Sequence, residues 1–248
     1  MQFRMIQFKY FDAYTNMALD EAIMESIREG NSSPTIRFYG WEPSAVSIGY
    51  FQGILNEVNL DATRDAGVDV VRRLTGGGAV YHDIHGEVTY SIIGPLDLFP
   101  GDVIESYRLI CSDIIYALET LGIKASFTPI NDIMVGDQKI SGNAQTRRRG
   151  ILLQHGTILY SVDVEKMFSL LNVSDKKMVD KLIKSVKKRV TSVANLTDVS
   201  FTSLVNALAK GFSRDRDIIQ GGYSENEIER AKELADAKFR TREWNFRL

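Results

Sequence analysis

Strand signals dominate the first 160 residues of this chain, and helix signals dominate the last 80. Runs such as 68–73 and 87–93 are rich in β-branched residues, whereas 201–213 places apolar residues at helical spacing. A segregated order of this kind predicts an α+β fold and argues against regular βαβ alternation. A length of 248 residues fits one large domain, and the polar segment 172–199 is the only plausible soft junction.

The remaining elements follow from periodicity and from residues that begin or end helices. The predicted strands cover 3–8, 35–40, 44–50, 68–73, 87–93, 132–135, 138–142 and 151–159. The predicted helices cover 17–28, 60–66, 103–121, 164–171, 201–213 and 225–238. We expect Thr15 or Asn16 to cap the first helix, and Ser224 with Glu227 to form a capping box for the last.

Charge and composition exclude several classes of protein. Thirty basic residues oppose 32 acidic ones, so a uniformly basic nucleic-acid-binding protein is not expected. No stretch approaches the length of about 20 apolar residues that spans a bilayer. The single cysteine, Cys111, falls on the apolar stripe of a predicted helix and is expected in the core. These features favour a cytoplasmic protein that binds neither nucleic acid nor membrane.

The strongest motif is RRLTGGGAVYHD, which spans residues 72–83. Three consecutive glycines weaken any helix or strand, but they let a ligand approach the backbone closely. Their N–H groups can bind an anion, and Arg72 and Arg73 add fixed positive charge. The alternative to an anion-binding site is a tight turn beside two arginines on the protein surface. The spacing matches neither a P-loop nor a dinucleotide-binding motif.

The second motif is NDIMVGDQKISGNAQ, over residues 131–145, which reads as strand, turn, strand. Lys139 is either a solvated surface residue or a fixed charge directed at a phosphate or acyl oxygen. Small neighbours, among them Ser141 and Gly142, leave room for a substrate.

Two further signals carry less weight. Gln154, His155, Gly156 and Thr157 begin the motif QHGTIL within a predicted strand, where His155 either hydrogen-bonds or packs. A metal site of His155 with the other two histidines is not expected, because the glycines argue against a helix there. A basic run and a cluster of three arginines are either solvated or bind an acidic partner: Lys176, Lys177, Lys181, Lys184, Lys187, Lys188 and Arg189, with Arg147, Arg148 and Arg149.

Together these motifs resemble the lipoate–protein ligase family over essentially the whole chain. NMALDEAI at 16–23 resembles its first-helix signature, and Glu243 to Phe246 resembles the end of its catalytic domain. The resemblance implies the fold of biotin and lipoate ligases and class II synthetase cores, a mostly antiparallel mixed sheet packed by helices. It also implies a single catalytic domain over 1–248, with the family's accessory domain absent from this chain and supplied, where needed, by a separate protein.

The implied activity has two steps. Lipoate and ATP, with Mg²⁺, form lipoyl-AMP, and the lipoyl group then passes to a lysine of a lipoyl-acceptor domain. The acceptors would be the E2 subunit of 2-oxoacid dehydrogenases or the glycine cleavage H protein.

The resemblance implies catalytic or binding roles for the residues that match the family's motifs. Lys139 would be catalytic, and Asp83 or Asp132 would bind Mg²⁺. The candidate binding residues are Arg72, Arg73, Gly76, Gly77, Gly78, Ala79, Val80, Tyr81, His82, Asp83, Asn131, Asp132, Ser141, His155, Gly156 and Thr157. Val46, Ile48, Tyr50 and Val80 are candidates for an apolar slot that holds the lipoyl tail.

Two alternatives stay open. Octanoyltransferases of the same fold take octanoyl from acyl-carrier protein through a cysteine in the loop before the lysine motif, without ATP. That loop here is SFTPIND, residues 126–132, which has no cysteine, and this favours the ligase. The other alternative is a non-catalytic protein that binds the lipoyl nucleotide.

Overall fold

A computed structural model describes residues 2–172 and 176–248, with side chains described for 2–172 and 181–248. Its main sheet has eight strands in the order β11-β1-β2-β6-β10-β9-β8-β7. The strand β1 pairs in parallel with β11 and β2, and the other neighbours are antiparallel. The strands of this sheet and of a second, smaller one are β1 (Phe3–Phe11), β2 (Thr35–Trp41), β3 (Ala45–Ile48), β4 (Asp69–Arg72), β5 (Val80–His82), β6 (Glu87–Pro95), β7 (Ser126–Thr128), β8 (Asp132–Val135), β9 (Gln138–Arg148), β10 (Ile151–Leu159) and β11 (Ile218–Gly221).

 The strand β10, Ile151–Leu159, lies at the centre of the main sheet between β6 and β9.

The helices cover both faces of that sheet. They are α1 (Ala13–Arg28), α2 (Ile54–Glu57), α3 (Leu60–Asp65), α4 (Val103–Thr120), α5 (Val164–Leu170), α6 (Lys176–Arg189), α7 (Val193–Leu196), α8 (Phe201–Ser213), α9 (Glu225–Leu234) and α10 (Arg242–Asn245). The first helix begins four residues earlier than predicted, because Asp12 accepts a hydrogen bond from the Thr15 N–H and caps it. Thr15 and Asn16 therefore lie inside α1, and their prediction as caps is wrong.

Alternate residues of the central strands belong to different apolar clusters. Ile92 packs in the cluster that includes α4 and α8, whereas its neighbour Ile93 packs in the cluster that includes α1 and α9. Successive side chains of a strand point to opposite faces, so the sheet is a layer between two helical layers. This arrangement confirms the prediction of an α+β fold with a mostly antiparallel sheet.

A second, three-stranded sheet has the order β4-β3-β5 and packs in a smaller apolar cluster with α5. Its strands β4 and β5 flank the glycine-rich segment, so this small sheet positions the loop that the sequence singled out.

Most predicted elements are confirmed, with shifts of a few residues at their ends. The predicted helix 225–238 ends earlier as an α-helix, and Ala235–Phe239 continue it as a π-helical turn. The short strands β5, β7 and β11 and the helix α6 were not predicted, because they are brief or strongly polar. Within the described ranges, no helix is long and apolar enough to cross a bilayer.

Candidate active site

A cavity of about 400 Å³ lies where the small sheet meets the main sheet. This volume is within the range typical of small-molecule sites. Most of the lining residues are apolar, aromatic or glycine, and the rest are polar or charged. The lining consists of Met17, Tyr39, Trp41, Ser47, Arg73, Gly77, Gly78, Ala79, Val80, Tyr81, His82, Thr89, Asn131, Lys139, Gly142, Asn143, Ala144, His155, Gly156, Thr157, Leu159, Val162, Met167, Val186 and Val190.

Arg73 holds the glycine-rich loop in place from inside the protein. Its Nη2 donates to the carbonyls of Gly76 and Gly78, at 2.8 and 2.7 Å. Gly77 between them has a φ of +99°, and a Cβ there would lie 2.8 Å from Arg73 Nη2, so only glycine fits. Burial lowers the pKa of Arg73 to about 10, which still leaves the side chain charged at neutral pH.

The hairpin of β8 and β9 positions Lys139. The pairing shifts by one residue between Ile133 and Met134, which marks a β-bulge beside Lys139. Residues three apart normally point to opposite faces of a strand, but here the Lys139 amine lies over Gly142. A Cβ at Gly142 would lie 2.7 Å from Lys139 Nζ, so the glycine makes room for the amine. The ammonium is also 2.7 Å from Asp132 Oδ1.

An amide pair supports the opposite side of this hairpin. Asn143 Nδ2 donates to the Asn131 carbonyl at 2.9 Å, and Asn131 Nδ2 donates to the Asn143 carbonyl. Tyr90 Oη donates to Asn143 Oδ1 at 2.7 Å from within the core. These bonds orient Asn143 beside Gly156, where a Cβ would collide with its side-chain oxygen.

His155 joins the loop to α1 through a buried chain of polar groups. Its Nε2 lies 2.7 Å from Thr75 Oγ1, and its Nδ1 lies 3.3 Å from Asp20 Oδ2. Burial lowers the pKa of His155, against the opposing effect of Asp20. Burial also opposes ionisation of Asp20, yet the Arg37 guanidinium at 2.9 Å, with His155, holds its pKa below the usual value.

His82 is fixed on three sides. Its Nδ1 lies 2.5 Å from Glu87 Oε1 and its Nε2 lies 2.8 Å from Ser47 Oγ. The Trp41 ring stacks on the imidazole with centroids 4.0 Å apart. The imidazole therefore forms a rigid part of the cavity wall.

Eleven of the predicted binding residues, together with Lys139, line the cavity, and five do not. Those outside the lining are Arg72, Gly76, Asp83, Asp132 and Ser141. Of these, Asp132 still reaches the site by its ion pair with Lys139.

Arg72 is fully buried and bonded entirely within the protein. It donates to the carbonyls of Gly49, Tyr50, Gln52, Trp244 and Asn245, at 2.6 to 3.1 Å. The structure therefore assigns Arg72 to the junction of the loop with the C-terminal segment, and not to a ligand.

The predicted apolar slot is wrong in three of its four residues. Val46 and Ile48 point into the small apolar cluster, and Tyr50 stacks edge-on against Trp244, so only Val80 lines the cavity. Tyr39, Trp41 and Met17 line the cavity instead. They come from β2 and α1, and no motif in the sequence marked them.

The sequence offers Asp83 or Asp132 as the magnesium ligand, and the structure gives the two carboxylates different partners. Asp83 accepts from Tyr81 Oη at 2.9 Å and from the His85 N–H at 2.9 Å, whereas Asp132 pairs with Lys139. Across the described ranges, no group of three or more His, Cys, Asp or Glu residues could hold a metal ion.

Cys111 is buried in α4, as predicted. Burial raises the pKa of its thiol far above the ordinary value, so the thiolate is not formed at neutral pH. It is not among the residues of the cavity lining.

Comparison with known proteins decides the family. A family model of the lipoyl protein ligase A/B catalytic domain matches residues 12–213. The chain belongs to this family. The resemblance read from the motifs is thereby confirmed.

Solved structures of this family share its fold. A bipartite lipoate protein ligase from Thermoplasma acidophilum, described with its E2 lipoyl domain, superposes with a TM-score of 0.91. The two chains are 35% identical over 99% of this chain and 96% of the other. A lipoate-protein ligase A bound with ATP gives a TM-score of 0.85 at 33% identity, over 99% of each chain. The predicted lipoate-ligase fold is confirmed.

Curated relatives carry a different activity in their names. Octanoyltransferase LipM of Symbiobacterium thermophilum is 37% identical over 94% of this chain and 93% of its own length. Octanoyltransferase LipM of Geobacillus kaustophilus is also 37% identical, over 98% of each chain. The expectation of ATP-dependent lipoate ligation is therefore wrong, and the missing cysteine in 126–132 did not justify it. The activity named for these family members agrees with the alternative that the sequence left open.

Proposed function

We propose that this member of the lipoyl protein ligase A/B family is an octanoyltransferase. It moves an octanoyl group from the thioester of an acyl-carrier protein to the lysine of a lipoyl-acceptor domain. The observation that carries the proposal is the mostly apolar cavity whose lining includes Lys139, with its ammonium paired to Asp132. An eight-carbon chain requires an apolar pocket, and its carbonyl requires a positive donor at the reacting end.

The apolar part of the cavity suits a saturated acyl chain. Tyr39, Trp41, Val80 and Met167 supply apolar surface from three separate elements, β2, β5 and α5. Burial of such a chain is favourable by roughly 0.8 kcal/mol for each CH₂. The bound acyl chain would hold the thioester carbonyl at a fixed position relative to Lys139. Part of the binding energy is thereby used to orient the reacting group.

Lys139 would stabilise the charge that develops during transfer. The amine of the acceptor lysine attacks the thioester carbonyl carbon, and the carbonyl oxygen becomes negative. The Lys139 ammonium, held by Asp132, opposes that charge. The carbon–sulfur bond then breaks as the amide forms, and the proton lost by the amine leaves with the thiol.

The acyl group would pass directly to the acceptor, without a cysteine intermediate. The chain has one cysteine, and its thiol is buried, protonated and outside the cavity lining. A thioester is already activated, so this reaction needs neither ATP nor Mg²⁺.

The acceptors would be E2 or H-protein domains in the cytoplasm. The single-domain organisation over 1–248 and a separate accessory protein stay predictions.

The test is the intact mass of a lipoyl-acceptor domain incubated with this protein and octanoyl-loaded acyl-carrier protein, without nucleotide. We expect a gain of one octanoyl group, absent when the acceptor lysine is replaced by arginine. A matched reaction supplies octanoate or lipoate with ATP and Mg²⁺ instead of the thioester. A gain in that reaction alone would reject the proposal.

A further inference from the structure

The helix α6 carries a basic surface that the proposed transfer reaction does not yet use. Residues 181–189 include five basic residues and no acidic one, although the whole chain has a net charge of −2. Lys181, Lys184 and Lys188 recur at spacings of three and four, so they share one face of the helix, and all three are exposed. We call this surface the α6 lysine face. The side chains of Lys176 and Lys177 lie outside those that the structure describes.

The opposite face of α6 is part of the active site. Val186 lines the cavity, and so does Val190 directly after the helix. Val190 also forms a bridge with Lys139, and the Thr191 N–H donates to the Lys139 carbonyl at 2.9 Å. One helix therefore bears cavity-lining valines on one side and the lysine face on the other.

Among the described side chains, the lysine face has no acidic partner. Lys187 pairs with Glu165 at 2.7 Å, but the described ion pairs include none for Lys181, Lys184 or Lys188. A cluster of like charges on one helix face repels itself, and an opposite charge on a partner relieves that repulsion.

We infer that the α6 lysine face binds the acidic surface of the acyl-carrier protein that delivers the thioester. The inference rests on the proposed function. A carrier holds its acyl group on a long flexible arm, so its body can sit on the outer side of the cavity wall while the arm enters. The acceptor lysine has a short side chain, so the acceptor body must sit over the cavity mouth itself. The position of the lysine face outside the wall therefore fits the donor.

The experiment reverses the charge of this face with Lys181→Glu, Lys184→Glu and Lys188→Glu in one variant. The matched control changes the same charge elsewhere, with Lys124→Glu, Lys210→Glu and Lys232→Glu at exposed positions. Initial rates are measured with octanoyl acyl-carrier protein and, separately, with octanoyl-pantetheine, which has no protein surface. Both series use the same acceptor domain.

We expect kcat/KM for the carrier-borne donor to fall about tenfold or more in the α6 variant, because opposite charges speed association on this scale. The difference should shrink as salt is raised. The rate with octanoyl-pantetheine and the KM for the acceptor should stay near the wild-type values, and the control variant should match the wild type with both donors.

Three results would overturn the inference. An equal fall with both donors would mean that α6 acts within the site, and a higher KM for the acceptor alone would move the face to the acceptor. An unchanged rate with both donors would mean that the α6 lysine face does not bind the acyl-carrier protein. A wild-type protein that transfers from neither donor would instead reject the proposed function.

Discussion

The Lys139 ammonium lies 2.7 Å from the Asp132 carboxylate across the β8–β9 hairpin. Both side chains are partly exposed, at 38% and 32%, so the pair can meet a substrate. An exposed ion pair of this kind contributes little to stability. Its importance is that the carboxylate pairs with a positive charge that lines a mostly apolar cavity.

Replacement of Lys139 by methionine should therefore affect transfer and not folding. Removal of one electrostatic donor to a developing oxyanion costs about 10²- to 10³-fold in rate. We expect a loss of that size in octanoyl transfer, with the thermal midpoint changed little. The measurement is the mass gain of the acceptor over time, with Lys124→Met as the control. Wild-type turnover by Lys139→Met would remove Lys139 from the mechanism.

Substitution of Gly142 by alanine tests the position of the same amine. The new Cβ would lie 2.7 Å from Lys139 Nζ and Cε, so the flexible side chain must move away. We expect transfer to fall about tenfold or more, since small displacements of catalytic groups are costly. Gly222→Ala is the matched control, because a Cβ there meets open space. A Gly142→Ala protein as active as Gly222→Ala would contradict the placement of Lys139.

Cys111→Ala distinguishes direct transfer from a cysteine intermediate. The thiol packs in the core among residues of α4 and the main sheet, so its loss should lower the free energy of unfolding by about 1 kcal/mol. We expect octanoyl transfer at the wild-type rate. The readouts are a urea unfolding curve and the acceptor mass assay. A folded variant without transfer activity would show that the acyl group does pass through this thiol.

Arg72→Met should affect stability. The substitution leaves five carbonyl groups, two of them in buried and three in partly buried hydrogen bonds, without this donor, and a fully buried group in that state costs about 1–3 kcal/mol. Relaxation and water entry reduce the sum, and we expect a loss of roughly 3 kcal/mol or more in the free energy of unfolding. Arg64→Met, at an exposed residue, serves as the control. If Arg72→Met were as stable as the wild type but bound the octanoyl donor more weakly, Arg72 would belong to the binding site after all.

Asp113 should make stability depend on pH in a predictable direction. Burial raises its pKa to about 6, although Arg216 at 2.7 Å opposes the shift. Because the folded protein binds this proton more tightly than the unfolded chain does, stability rises as pH falls through 6.

The comparison of wild type with Asp113→Asn isolates this residue from the other titrating groups. Between pH 7.5 and pH 4, the wild type should gain up to about 3 kcal/mol relative to the variant. Urea unfolding of both proteins across this range gives the difference. Parallel pH profiles would mean that the pKa of Asp113 is not raised.

Local signals identified many of the residues that line the cavity. The three consecutive glycines and the arginine pair marked the loop, because few other structures tolerate that composition. The lysine motif marked the hairpin that bears Lys139. These motifs act through short-range geometry, which adjacent residues determine by themselves.

Other features depend on residues that are far apart in the sequence. Trp41 and Met17 line the cavity because β2 and α1 lie near the loop in the folded protein. The residues adjacent to them in the sequence do not indicate this proximity. The donor chemistry was also misread, since the absence of a cysteine from 126–132 suggested ligation while the relatives are named octanoyltransferases.

Periodicity and backbone preference are local properties, so the α+β class, the order of most elements and the glycine and lysine motifs could be predicted from the sequence. The tertiary structure was needed to show that Arg73 lines the cavity and anchors the glycine-rich loop, whereas its neighbour Arg72 is bonded to the C-terminal segment and does not line the cavity. Arg72 is the last residue of β4 and Arg73 follows it directly, and successive side chains of a strand point in opposite directions. Two arginines that look equivalent in the sequence therefore enter different environments. Burial and partners, which arise only when distant segments pack together, then assign one arginine to the site and the other to the fold.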